Sequence, residues 1–111
     1  MTEPKQKHYK HWRIEILDAD DETVDVDYVG TKREAMKMVN RLLKDENLWK
    51  IELKHQRVNY TEFEDIVSSA DIVGIDTISS ESFKGKALVE YQLEQLKEKT
   101  NEIIYEMFAQ K

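Results

Sequence analysis

The 111-residue sequence contains no cysteine. Disulfides, thiolate nucleophiles and cysteine-ligated zinc are therefore excluded, and an intracellular setting fits. Glycine is nearly as scarce: Gly30, Gly74 and Gly85 each stand alone. A phosphate-cradling loop needs clustered glycines, and no G-x-S-x-G nucleophile elbow occurs either. "SFKGK" (82–86) shares only its ending with a phosphate-binding loop, without the preceding glycine or the final Ser or Thr.

Long apolar runs are also missing. No stretch approaches the roughly 20 apolar residues of a membrane span, and "MTEPKQKHYKHW" lacks the apolar centre of a signal peptide. The expectation is a cytoplasmic protein with no membrane partner. Histidines number three, and a zinc site on His8 and His11 would need more ligands, with His55 the one other histidine. No metal, cofactor or catalytic residue is assigned. An enzyme of unknown reaction is the most distant reading, because a sequence cannot show which of its many carboxylates share a desolvated cleft.

What is present is charge, in alternating blocks. Lys5, Lys7, Lys10 and Arg13 open the chain; Glu15, Asp18, Asp20, Asp21, Glu22, Asp25 and Asp27 follow without an intervening cation. The net charge of −6 is thus spread over both signs, which argues against a single-sign surface. Residues 1–10 read as a flexible basic arm. Its cations are interleaved with His8, Tyr9, His11 and Trp12, as in single-strand binders, but the acidic segment directly after it argues against direct nucleic-acid contact.

Hydrophobic periodicity supplies the fold. Trp12, Ile14 and Ile16 alternate with Arg13 and Glu15, and "VDVDYV" repeats the pattern, with Val24, Val26 and Tyr28 expected on the core face and Asp25 and Asp27 on the other. "DADDET" between them is a polar turn. Thr31 and Glu34 form a capping box for a helix over 32–45, carrying Ala35, Val39, Leu42 and Leu43 at helical spacing. Trp49, Ile51 and Leu53 mark a third strand. The outer face then holds Arg13, Glu15, Asp25, Asp27, Lys50, Glu52 and Lys54, with opposite charges on neighbouring strands.

Beyond this β–β–α–β unit (12–58), residues 61–78 suit a short helix built on Phe63, Ile66, Val67 and Ala70, followed by a connection around Gly74 that is compatible with a strand. A long amphipathic helix is expected over 82–110. The whole reads as one α+β domain: a small sheet with a helix on its apolar face, a short helix, and a long C-terminal helix.

Two surfaces stand out. Val89, Leu93, Leu96, Thr100, Ile103 and Met107 follow alternating four- and three-residue steps, the seam of a helix–helix interface, with Leu88, Ile104 and Phe108 widening it. A helix of roughly 28 residues would be about 42 Å long and would outrun a domain of this size. Its distal residues Leu96, Ile103, Ile104, Met107 and Phe108 are the first candidate site, for a partner protein or a second copy of the chain. Glu90, Glu94, Glu98, Glu102 and Glu106 form an acidic ridge on the same helix.

The second surface is acidic: Asp18, Asp20, Asp21, Glu22, Asp25 and Asp27. An EF-hand is excluded, because counting from Asp18 the glycine and glutamate positions hold Thr23 and Val29. Joined by Glu62, Glu64 and Asp65, these carboxylates could imitate nucleic-acid phosphates toward a nucleic-acid-binding protein. The leading expectation is a non-catalytic accessory or inhibitory protein that binds another protein through its C-terminal helix and acidic surface. Nucleic-acid mimicry is the alternative.

Overall fold

The computed structural model describes residues 5–62 and 70–109. Four strands form one antiparallel sheet in the order β2-β1-β3-β4, with β1 at Lys5–Leu17, β2 at Thr23–Val29, β3 at Lys50–Glu62 and β4 at Ala70–Lys84. Helices α1 (Lys32–Leu42) and α2 (Lys86–Ala109) complete an α+β fold.

The core lies where α1 crosses one end of the sheet. Ile14, Ile51 and Leu53 meet Ala35 and Val39 of α1 together with Leu48, all buried, while Trp12, Ile16, Val29, Met36 and Phe83 pack around them. Thr31 begins the helix as the spacing requires: its hydroxyl accepts from the Glu34 backbone N–H at 3.2 Å. The β1–β2 turn closes on Asp18, whose Oδ1 accepts from the backbone of Asp20 (2.9 Å) and Glu22 (3.0 Å). Asp21 takes the left-handed conformation there, with φ of 60°, one that Asp tolerates better than most residues.

The strands are much longer than this core. A 13-residue strand such as β1 spans about 43 Å, whereas the 11 residues of α1 cover about 16 Å. Residues 5–11, 56–62 and the first part of β4 therefore continue past α1 as a three-stranded ribbon. The expected basic arm is, from Lys5 onward, part of that ribbon: Lys7, Tyr9 and Lys10 pair with Tyr60, Val58 and Arg57.

β4 is a second correction. Ala70, expected to end a short helix, and residues 82–84, expected to open the long helix, lie in a 15-residue edge strand, together with the segment around Gly74 that the sequence leaves open between a strand and a connection. Phe63, Ile66 and Val67 lie outside the described residues. Two register shifts, at His55/Gln56 and Asn59/Tyr60, each leave an extra residue on β4, and this interrupted alternation disguised the strand.

The third correction concerns β2. Ile14 pairs with Asp27 and Ile16 with Asp25, so the two aspartates share the α1 side of the sheet, and Val24, Val26 and Tyr28 do not form its core face. A bulge between Ile16 and Leu17 leaves Val24 unmatched and 62% exposed. Only Val29 of β2 packs against the core cluster. The inversion is tolerated because β2 is an edge strand, where a carboxylate on the helix side still reaches water.

α2 leaves the sheet at the end where Leu17, Lys50 and Lys84 lie side by side, opposite the ribbon tip. The sheet and the roughly 36 Å of α2 therefore extend in opposite directions, giving extents of 87 × 27 × 19 Å and a radius of gyration of 22.1 Å. A compact chain of this length would have about 13 Å.

Candidate functional site

The junction at Gly85 sets where α2 points. The Gly85 N–H donates to the Trp49 carbonyl (2.8 Å), and the Ala87 N–H to the Leu48 carbonyl (3.1 Å). Gly85 is buried against Leu48, and a Cβ there would penetrate the Leu48 carbonyl. Only glycine allows this approach. Two side-chain contacts extend the attachment: Tyr91 packs against Trp49 with ring centroids 5.5 Å apart, and Lys84 Nζ donates to Gln92 Oε1 at 3.2 Å.

These contacts use one face of the first turns of α2. The seam lies elsewhere on the helix and is open along its length: Leu93, Leu96, Ile103 and Ile104 are exposed, Met107 is 68% exposed and Phe108 66%. Among the described residues α2 adds none to the buried core. The structure thus brings Leu96, Ile103, Ile104, Met107 and Phe108 together on a projecting rod. Thr100, in the middle of the seam, turns its hydroxyl back to the Leu96 carbonyl at 2.8 Å, so it presents its methyl group without a stranded donor.

The acidic residues are not gathered in one place. Asp18 is engaged in its turn, and Asp20, Asp21 and Glu22 are exposed around it. Asp25 and Asp27 line a small cleft between α1 and β2, with Arg41, Met38 and Leu42 on its other wall. Glu62 pairs in register with Lys5 at the ribbon tip, some 12 residues and about 40 Å along β1 from the turn. Glu64 and Asp65 lie outside the described residues.

The face opposite α1 carries a charge lattice. Glu15, almost fully buried, forms an ion pair with Arg13 (Nε to Oε1, 2.7 Å) and accepts from Lys54 Nζ at 3.2 Å, and Glu52 lies 3.5 Å from Lys50 and 3.7 Å from Lys54. The third strand therefore neutralises Glu15 as the sequence led us to expect, but not Asp25 and Asp27. On the other face of the ribbon, Asp76 accepts from Arg57 (3.0 Å) and Asn59 (3.0 Å), and these hydrogen bonds, Arg57 first, hold its carboxyl below the ordinary range.

Further along the Glu15 face is a feature that periodicity alone did not reveal. Tyr9, His11, Tyr28, Val58, Ile72 and Ile75 line an open concavity of about 470 Å³, with Val58 buried in its floor. His11 is held by Gln56 (Nε2 to Oε1, 2.9 Å) and packs edge-on to Tyr28 at 4.9 Å. The usable signal was the alternation of Tyr9, His11 and Arg13, which continues the period of β1 into the presumed arm. Among the described residues no group of three His, Asp or Glu side chains is placed to hold a metal, and no helix is long and apolar enough to cross a membrane. Compared with protein-family models, curated proteins and solved structures, the chain matches none.

Proposed function

We propose that this chain is a non-catalytic protein-binding module of accessory or inhibitory type that engages its partner through the distal half of α2. One observation carries this reading: a helix tethered at Gly85, Trp49 and Lys84 exposes Leu96, Ile103, Ile104 and Met107 along one stripe. An apolar stripe of this kind on a projecting element is characteristic of interaction surfaces rather than of solvated helices. A cytoplasmic setting belongs to the same reading and rests on the cysteine-free composition.

The acidic residues have a supporting role in this proposal. Phosphate mimicry requires one continuous acidic surface, and the described carboxylates are divided between the β1–β2 turn, the α1–β2 cleft and the ridge on α2. Glu90 and Glu106 flank the apolar seam and would favour a partner with cations at its rim.

The test is capture from a lysate of the source organism by the full chain and by the Ile103→Glu/Met107→Glu double variant. Loss of specific proteins from the variant, with its circular dichroism and melting unchanged, is the expected result. Equal capture by both would remove the helix from the account.

A further inference from the structure

The exposed seam carries information about its occupant. We infer that the distal half of α2 pairs antiparallel with the same segment of a second copy of the chain, with Lys99 opposite Glu106 in both directions. This rests on the reading of α2 as a docking surface and narrows the partner to the chain itself.

The argument starts from the heptad. With Leu93, Thr100 and Met107 at one seam position and Val89, Leu96 and Ile103 at the other, the flanking positions hold Glu90, Lys97 and Ile104 on one side and Gln92, Lys99 and Glu106 on the other. A parallel in-register pair would set Lys99 beside Ile104 and Gln92 beside Lys97, which forms no ion pair. An antiparallel pair overlapping along the whole helix would put Lys99 opposite Lys99 and Lys97 opposite Lys97 at the two-fold axis. Like charges facing each other disfavour that register.

Two antiparallel registers remain that match opposite charges. One centres on the proximal half and pairs Glu90 with Lys97, but it carries the end of the partner helix past Gly85 and onto β4, where the body of the protein stands. The other centres between Asn101 and Glu102. It stacks Leu96 on Met107 and Thr100 on Ile103, each twice by symmetry, and places Lys99 against Glu106 twice along one rim. Ile104 then covers the aliphatic stem of Lys97. The overlap covers residues 94–109, about 24 Å of helix, and starts beyond the Tyr91–Trp49 contact, so both bodies clear each other at opposite ends.

The arrangement is isologous, and it closes as a dimer. It also explains why Thr100 can occupy a seam position, since its hydroxyl is already satisfied by Leu96. A Lys–Glu rim of this kind selects register more than it adds affinity, and salt weakens it.

Sedimentation equilibrium of the full chain at low salt tests the pairing, with Lys99→Glu, Glu106→Lys and the combined exchange. Each single exchange is expected to weaken self-association about tenfold, and the combined exchange to restore it to within about twofold. A wild-type chain that stays monomeric at about 0.5 mM overturns the second copy as occupant, while the lysate capture above still decides whether α2 docks at all. Self-association lost in Ile103→Glu/Met107→Glu but not rescued by the combined exchange keeps α2 as the interface and overturns this register.

Because the chain has no cysteine, an independent readout is available. Oxidation of a mixture of Leu96→Cys and Met107→Cys chains is expected to give the mixed disulfide. Efficient self-crosslinking of Leu96→Cys alone indicates parallel helices and contradicts the proposal.

Discussion

Gly85 donates its N–H to the Trp49 carbonyl at 2.8 Å while lying directly against the Leu48 backbone. This pair of contacts joins the last strand, the α1–β3 connection and α2 in one place. Gly85→Ala forces a methyl group into the Leu48 carbonyl, and overpacking of this kind costs about 1–3 kcal/mol. Urea denaturation measures the loss; a substitution at Gly30, where a Cβ meets nothing within 4 Å, is the matched control.

Buried Glu15 sits between Arg13 and Lys54. Glu15→Ala leaves two cations without their shared partner, but each is more than a quarter exposed and can turn to water. The expected loss is about 1–3 kcal/mol, below that of a fully buried pair. Glu15→Gln, which keeps the shape and one acceptor, should fall between Glu15→Ala and the wild type in the same denaturation assay.

The corrected orientation of β2 predicts an asymmetry between two apolar residues that the sequence treats alike. Ile14 is buried at 1% exposure and Val24 lies at 62%. Ile14→Ala should cost about 2–5 kcal/mol and Val24→Ala less than about 0.5 kcal/mol. Similar losses at both sites would return Val24 to the core face.

Why β2 was misread follows from what periodicity can and cannot report. In β1 and β3 the alternation is of apolar against charged residues around a covered centre, so Ile14, Ile51 and Leu53 declare their own face. In β2 the alternation is equally regular, but the apolar set is Val24, Val26 and Tyr28, and the register that turns Asp25 and Asp27 toward α1 is fixed by the β1–β2 turn and the bulge at Ile16/Leu17. A bulge leaves no mark on composition. β4 was obscured for the same reason, through two register shifts against β3. The helices were more legible: Thr31 announced α1, and the four–three spacing from Val89 to Met107 described a seam that the structure leaves open. The anchoring role of Gly85 was not readable, because it depends on a long-range approach to Leu48.

Asp76 gives the protein a pH response at the ribbon. Its carboxyl titrates below the ordinary Asp value of about 3.9 because Arg57 and then Asn59 donate to the ionised form. With the folded pKa lowered, the stabilisation is complete above the unfolded value and is lost as pH falls through the folded one. Arg57→Ala should move the Asp76 titration, followed by carboxyl-carbon NMR, up toward the ordinary value. No movement would mean that Arg57 does not hold it.

The central claim is that the distal seam of α2 is surface and not core. Urea unfolding of Ile103→Glu/Met107→Glu beside the wild type, at a protein concentration low enough to keep both monomeric, tests it most directly. The account predicts stabilities that agree within about 0.5 kcal/mol, as for exposed positions. A loss of about 3 kcal/mol or more would show that these side chains are buried in the folded monomer and would contradict it.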